Sequence, residues 1–317
     1  MGSVRFAAIV RTMGDRPQLL QEALESLTFQ QDRCRAVVVV HGDSNAHERA
    51  QQVCRRVGGL EHVVLHAKDT GKRRGHPLNV GIDYCYDSEF QPDFLFFLDD
   101  DDIVYPFFTR VMWAAFLTSG ADVIYAASNR REFGRPAAVG YTPKPIFLLL
   151  HENFITINGF AVRMEALRRQ RCYFDEAFEY AEDWQFLVTL LQKGFRFEAN
   201  FSTLSEFRII QDGNREIKAN PALWKQYSLR IRKQINQSEF VVPGAKLASL
   251  ACELEPRFGN QREMQEEVIV EQDRSIGCLR QRVYELEDSL SWRLTAPLRR
   301  VGAIVLNLGP GQRRRET

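Results

Sequence analysis

The sequence predicts an α/β domain built on a mostly parallel sheet and followed by a helical extension. Three observations support this fold class. Strand-like apolar runs alternate with helix-like stretches over the first two hundred residues. The run 36–40 is continuously apolar and β-branched, as in a strand that is buried on both faces. From about Pro221 the pattern becomes helical and charged, so we expect a globular domain with an appended segment.

The predicted elements follow one another closely along this domain. Val4–Val10 is the first strand, and its apolar stretch is too short to span a membrane. An amphipathic helix then runs to Leu27, with Asp15 as its predicted cap and Pro17 in its first turn. The remaining elements are a strand over 36–40, a helix over 48–57, strands over 62–66 and 94–98 separated by a helix over 77–86, a helix over 106–119, a strand over 122–126, and a helix over 182–192 that ends before Gly194.

Charge and cysteine content argue against two kinds of site. Lys plus Arg (42) and Asp plus Glu (41) nearly cancel, so the overall charge does not predict nucleic-acid binding. The six cysteines are scattered, without a CxxC pair or a histidine cluster that would indicate zinc. Reduced thiols in a cytoplasmic protein are the expectation.

Four consecutive aspartates, Asp99–Asp102, follow the apolar strand Phe94–Leu98. Their charges repel one another, and a divalent cation would offset that repulsion. Mg²⁺ and Mn²⁺ take one or two carboxylates from a protein and complete their shell with water and ligand phosphates. The run therefore predicts a metal site for a nucleotide diphosphate, and a solvated acidic turn is the alternative.

The segment Phe97–Pro106 resembles the DxD segment of inverting family 2 glycosyltransferases, which have the GT-A fold. The resemblance covers roughly residues 4–215 and implies a Rossmann-like, mostly parallel sheet flanked by helices. Ile210 or Gln211 stands where the family often has a histidine, which leaves the metal to aspartate, water and phosphate. With four consecutive aspartates, the sequence leaves open which two correspond to the two aspartates of the DxD motif. Asp99 and Asp101 are the preferred pair. The implied ligands of Mn²⁺ or Mg²⁺ are Asp101, Asp99 and Asp102, and the implied donor contacts are Asp99 and Asp100.

Other segments resemble the donor-binding parts of this family in the same order. The carboxylate of Asp43 would accept the N3 proton of uracil or thymine, which favours a UDP- or dTDP-sugar, and an Asx turn is its alternative role. The basic loop over 71–81 and the segment over 206–214 resemble the parts that meet the diphosphate. Besides the aspartates, the implied donor contacts are Arg11, Thr12, Asp43, Arg73, Arg74, Asn79 and Arg208.

The segment 174–184 resembles the ED motif of the same family. Inverting transfer is a single displacement, so one carboxylate must take the proton of the acceptor hydroxyl. The resemblance implies that Asp183 is this base and that Glu182 orients the acceptor. A first helical turn lowers the pKa of Asp183 and burial raises it, so the sequence leaves its net basicity open. Segment 153–160 resembles the acceptor-side loop, and the implied acceptor contacts are Asn158, Gly159 and Trp184.

The carboxyl-terminal part divides into three segments after a catalytic domain of residues 1–220: a helical linker over 221–265, a coiled coil over 266–290 and a basic amphipathic tail over 291–317. Apolar residues at heptad spacing between Ile269 and Leu290 predict the coil and a homodimer. Segment 289–300 resembles the tail of bacterial surface-polysaccharide glycosyltransferases. Its mixture of arginines and apolar residues suits an anionic membrane surface, and packing back onto the catalytic domain is the alternative.

These expectations describe a cytoplasmic enzyme held on the inner face of the cytoplasmic membrane. It would transfer a sugar from a UDP- or dTDP-sugar to a hydroxyl of a growing, lipid-linked bacterial glycan such as O-antigen or capsule. One alternative is a nucleotidyltransferase, which should have a glycine-rich basic loop behind the first strand, where this chain has only Gly14. The other is a catalytically inactive scaffold of a polysaccharide-assembly complex.

Overall fold

The computed structural model describes residues 4–68, 74–87, 89–132, 134–209 and 220–240. They form a mixed α/β fold in which helices flank a curled sheet, as the sequence predicts. Arg73, the coiled coil over 266–290 and the tail over 291–317 lie outside the described residues.

Strands and helices alternate through most of this part of the chain. The strands are β1 (Arg5–Thr12), β2 (Arg33–Val40), β3 (Glu61–His66), β4 (Phe94–Asp99), β5 (Ile103–Val104), β6 (Val123–Glu132), β7 (Ala138–Tyr141), β8 (Phe160–Arg163) and β9 (Phe197–Ile209). The α-helices are α1 (Pro17–Thr28), α2 (Ala46–Arg56), α3 (Gly75–Asp87), α4 (Phe108–Ser119), α5 (Met164–Gln170), α6 (Glu182–Gln192) and α7 (Pro221–Asn236), and a 3₁₀ helix covers Ile146–Leu150.

The sheet brings the ends of its central strands together. Its order is β3-β2-β1-β4-β8-β6-β9-β5, and β7 pairs with β6. The first four strands are parallel, with Arg11 of β1 opposite Asp99 of β4 and Thr12 opposite Val40 of β2. The carboxyl ends of these strands therefore meet at one edge, which is where an open α/β sheet binds its ligand.

Both faces of the sheet are covered by apolar side chains. Ile9 and Phe97 belong to one buried cluster, whereas Val10 and Leu98 belong to the cluster on the other face. All four side chains are fully buried, because successive residues of a strand point to opposite faces. Covering both faces fixes the central strands, and with them the loops at their carboxyl ends.

Several local features differ from the sequence prediction, which also lacks β5, β7, β9 and α5. Helix α1 begins at Pro17 as expected, but its N-cap is Arg16 and has no side-chain cap, so the prediction of Asp15 as the cap was wrong. Strand β8 was not predicted, because its four residues carry too little pattern to identify a strand. It is nevertheless fully integrated, since it pairs antiparallel with both β4 and β6.

Helix α7 begins at Pro221, where the sequence predicts the helical region to start. It lies in the same compact unit as the sheet, with Ile231 fully buried in the core. The rings of Trp224 and Trp184 are 6.3 Å apart, so the helix packs directly against α6. Within the described ranges, every helix is too short or too polar to cross a membrane.

Candidate active site

The four aspartates alternate between partly exposed and buried positions at the end of β4. The side chains of Asp99 and Asp101 are 19% and 20% exposed, whereas Asp100 and Asp102 are almost completely buried. The backbone N–H of Asp102 donates to the carbonyl of Asp99 at 3.1 Å, which closes a tight turn. Two carboxylates are thus accessible to a ligand, and the other two contribute to the structure beneath them.

Arg16 binds two of these aspartates at once. Its guanidinium donates to Oδ1 of Asp100 at 2.6 Å and to Oδ2 of Asp101 at 2.7 Å. The hydroxyl of Thr12 donates to the other oxygen of Asp100 at 2.6 Å and accepts from the N–H of Gly14 at 2.9 Å. Burial raises the pKa of Asp100 to about 7, although Arg16 and Thr12 both act to lower it.

Asp102 joins the acidic turn to the strands on its other side. Its Oδ1 accepts from the backbone N–H of Arg208 at 2.9 Å, and its Oδ2 accepts from the amide of Asn158 at 3.1 Å. The Arg208 side chain donates to the carbonyl of Asp101 and pairs with Glu22. Burial is the main cause that raises the pKa of Asp102 well above its usual range, and repulsion from Asp101 is the second cause.

Arg11 connects the acidic turn to the ED segment. Its guanidinium makes two 2.8 Å bonds to the carboxylate of Asp99, one of 2.8 Å to Glu182 and one of 2.9 Å to the carbonyl of Arg74. Only 6% of its side chain is exposed. Burial alone would raise the pKa of Asp99, but the charge and hydrogen bonds of Arg11, together with the charges of Arg74 and Arg16, hold that pKa below its usual value.

Two further side chains, Arg74 and His41, lie near Arg11 and Asp99. Arg74 places its guanidinium 3.1 Å from Glu182 and 3.9 Å from Asp99, so it flanks the same two carboxylates as Arg11. His41, which directly follows β2, is part of the same charged environment. Burial is the main cause that lowers the pKa of His41 to about 4, and the charge of Arg11 is the second cause. The imidazole is therefore neutral at pH 7.

Helix α6 begins with the two carboxylates of the ED segment. The preceding residue, Ala181, has φ 57°, a left-handed conformation that is uncommon for a residue with a side chain. Asp183, which is partly exposed, accepts from the N–H of Trp184 at 2.7 Å through Oδ1 and from the amide of Asn153 at 3.1 Å through Oδ2. Burial and the nearby charge of Glu182 raise the pKa of Asp183 to about 6.

Some of the predicted site residues hold the surrounding loops instead of facing the acidic turn. Asn79 exchanges two hydrogen bonds with the backbone of Phe174, and the indole of Trp184 donates to the carbonyl of Leu149 in the core. A Cβ on Gly159 would lie 2.7 Å from the hydroxyl of Thr156, so a tight turn accounts for this glycine.

Asp43 lies on the surface. Its side chain is 65% exposed, accepts from the N–H of Asn45 in an Asx turn, and pairs with Arg49 at 3.0 Å. Hydrogen bonds from Arg49 and from the Asn45 backbone lower its pKa. A nucleobase would therefore meet a carboxylate that already has a partner.

The donor set at the acidic turn fits a hard divalent cation that also binds phosphate. In the part of the chain that the structure describes, no group of three or more His, Cys, Asp or Glu side chains is arranged to enclose a metal ion. Mg²⁺ and Mn²⁺ sites that bind nucleotides need only one or two protein carboxylates. Asp99 and Asp101 are the two partly exposed carboxylates, with Asp99 bonded to Arg11 and Asp101 bonded to Arg16, whereas Asp102 is buried.

Sequence reasoning missed three residues of this region. The sequence patterns assign no role to Arg16, Asn153 or His41. The position of His41 after β2, beside the strand β1 that contains Arg11, was the one available signal. Arg16 and Asn153 act through contacts between distant segments, at separations of 84 and 30 residues, which no local pattern indicates.

Comparison with known proteins identifies this architecture. No model of a protein family matches the chain, and no match was found among curated proteins. Among solved structures, the chain resembles S. aureus TarS residues 1–349 in complexes with UDP and with UDP-GlcNAc, each with a TM-score of 0.55 and 18% identity. These matches cover 77% of this chain and 68% or 69% of TarS 1–349. It also resembles the mannosyltransferase PcManGT from Pyrobaculum calidifontis in complex with GDP-Man and Mn²⁺, with a TM-score of 0.50, 13% identity and coverage of 80% and 81%. The chain therefore has the GT-A-like α/β fold of nucleotide-sugar glycosyltransferases.

Proposed function

We propose that this protein is an inverting, metal-dependent glycosyltransferase. It transfers a sugar from a UDP- or dTDP-sugar to a hydroxyl of a growing bacterial surface glycan, such as O-antigen or capsule, on a lipid carrier. The observation that carries the proposal is the Arg11 bridge, which connects the acidic turn at Asp99 to Glu182, the neighbour of Asp183. A donor site and a candidate base thus lie at one edge of the sheet.

The acidic turn supplies the donor side of this reaction. Asp99 and Asp101 would hold a divalent cation, and the binding of Mn²⁺ with GDP-Man by PcManGT supports this assignment. When bound, the cation would neutralise charge on the diphosphate leaving group. Arg74, which is about one-third exposed beside Asp99, would contact the donor phosphates.

The ED segment supplies the acceptor side. A carboxylate with a pKa of about 6 is ionised at pH 7 yet basic enough to take a proton from a sugar hydroxyl as it attacks. Glu182 Oε1 is held by Arg11 and Arg74, while its buried Oε2 has no hydrogen-bond partner among the described residues. We therefore assign the base to Asp183 and acceptor orientation to Glu182.

The substitution Asp183→Asn tests this function directly. It keeps the shape of the side chain and removes the base, so we expect the transfer rate to fall by about 10²–10⁴-fold with little change in donor affinity. Release of the nucleoside diphosphate from each of a panel of UDP-, dTDP- and GDP-sugars, with Mn²⁺ and a lipid-linked acceptor, measures the rate. Thermal stabilisation by each donor measures binding.

The matched control is Glu179→Gln, which removes another carboxylate four residues earlier, in the loop before α6, and should leave the rate unchanged. Undiminished transfer by Asp183→Asn would remove Asp183 as the base. Absence of both donor binding and transfer in the unmodified protein would favour the scaffold. Stabilisation by GDP-mannose alone would contradict the UDP or dTDP assignment, which rests on Asp43.

A further inference from the structure

The side-chain amide of Asn153 lies between the backbone and the carboxylate of Asp183. Its Oδ1 accepts from the N–H of Ile155 at 3.2 Å, and its Nδ2 donates to Oδ2 of Asp183 at 3.1 Å. Because a backbone N–H can only donate, the amide oxygen must face Ile155 and the NH₂ group must face the carboxylate. The orientation of the amide is therefore determined by its two partners.

The segment that carries Asn153 is itself held firmly. Phe154 and Ile155 are buried in the core, and the ring of Phe154 packs edge-to-face on Tyr125 at 6.0 Å. The indole of Trp184 donates to the carbonyl of Leu149 at 2.7 Å. Two consecutive residues of α6, Asp183 and Trp184, are thus bonded to this one segment, which is a rigid support for the carboxylate.

The two oxygens of Asp183 have different surroundings. Oδ1 accepts from the N–H of Trp184, so it is bound to its own helix. Oδ2 accepts from Asn153, and a carboxylate oxygen has room for a second hydrogen bond. We propose that Asn153 is a positioning residue that holds Oδ2 of Asp183 towards the acceptor hydroxyl and favours its ionised form. This inference rests on the proposed function, because it assumes that Asp183 is the base.

The hydrogen bond from Asn153 also affects the pKa of Asp183. Burial and Glu182 raise the pKa of this carboxylate, whereas the Trp184 N–H, Asn153 and Arg74 lower it. A base is active when it is deprotonated, so turnover should rise with pH through a pKa near 6 and then level off. Loss of the Asn153 donor removes one group that favours the ionised form, and this rise should move to higher pH.

The pH dependence of turnover in Asn153→Ala tests the inference. At pH 7 we expect kcat to fall by roughly 10-fold, while the KM for the donor stays unchanged. The acid limb of the profile, which is the part where turnover rises with pH, should move up by about one pH unit. A second variant, Asn153→Asp, keeps an acceptor for the Ile155 N–H but places a second carboxylate against Asp183. Its acid limb should move further than that of Asn153→Ala, since like charges disfavour ionisation.

Glu152→Gln is the matched control, because this exposed neighbour pairs with Lys144. Its acid limb should coincide with that of the unmodified protein. If both Asn153 variants keep the unmodified acid limb while Asp183→Asn abolishes transfer, the inference about Asn153 is overturned and the proposed function stands. If Asp183→Asn retains full transfer, both fail. Thermal melting of each variant separates a loss of folding from a loss of positioning, and Asn153→Asp serves as the readout if the alanine variant does not fold.

Discussion

Arg16 is a counter-ion for Asp100 and for Asp101, the second of which we assign to the cation site. It lies at the N-cap of α1 and binds Asp100 and Asp101, one of which is nearly buried. A divalent cation in the acidic turn would neutralise charge on the same group of carboxylates. Arg16 and the cation are therefore expected to compete.

The substitution Arg16→Gln tests this competition. Without metal, the variant should lose about 1–2 kcal/mol of stability, because two carboxylates lose their counter-ion and Arg16 is partly exposed. For a domain of this size the melting temperature should fall by roughly 2–6 °C. Mn²⁺ should stabilise the variant more than the unmodified protein, as measured by thermal melting across a metal titration.

Arg135→Gln is the control for charge alone, since Arg135 is highly exposed and pairs with Glu132. It should melt like the unmodified protein with and without Mn²⁺. Equal responses of Arg16→Gln and the unmodified protein to Mn²⁺ would contradict the competition.

At the scale of single residues, local sequence patterns identified the acidic residues but not their partners. Asp99–Asp102 stand out because four like charges follow an apolar strand, and Glu182 with Asp183 open an amphipathic helix. Arg11, which the resemblance implies as a donor contact, has a structural role as well, because its guanidinium makes four hydrogen bonds to two carboxylates and a carbonyl. Such a role depends on a pairing across 171 residues, which the sequence does not indicate.

At the scale of elements, the strands that deliver the site were predicted well. Strands β1, β2 and β4 are apolar on both faces and leave little ambiguity about their burial. Strand β8 was missed because Phe160–Arg163 is short and gains its stability from pairing with β4 and β6. Helix α7 was predicted, but its packing against Trp184 beside the candidate base was not.

The packing of α7 can be tested at Ile231. This side chain is fully buried, so Ile231→Ala should open a cavity and cost about 2–4 kcal/mol of unfolding free energy. Leu229→Ala on the same helix is the control, because Leu229 is 56% exposed and its truncation should change stability by less than about 0.5 kcal/mol. Urea unfolding measures both values. Equal midpoints for the two variants would show that α7 contributes little to the folded domain.

At the scale of the whole molecule, we propose that the tail over 291–317 binds an anionic membrane surface and that the coil over 266–290 forms a homodimer. The tail contains six arginines among apolar residues such as Trp292 and Leu298, a composition that suits an anionic bilayer surface. Both segments lie outside the described residues, so the sequence alone supports these proposals.

Sedimentation with liposomes tests the membrane proposal. The full chain should co-sediment with vesicles that contain anionic lipid, and a chain that ends at Leu290 should remain in solution, because it lacks the basic tail. Raised salt should weaken the binding of the full chain, since the attraction is partly electrostatic. Neutral vesicles are the control. Equal sedimentation of the two chains would contradict a role of the tail in membrane binding.

The Arg11 bridge also has a consequence for how the chain is made. Arg11 leaves the ribosome before Glu182, which follows 171 residues later. Until then, one of the two carboxylates that neutralise this buried guanidinium does not exist, and burying an unpaired charge is costly. The nascent first half of the chain can form its parallel strands. The charged contacts at the carboxyl ends of these strands cannot all form until Glu182 is present. Completion of the candidate site therefore coincides with synthesis of α6, so chain fragments released earlier lack the Arg11–Glu182 pair.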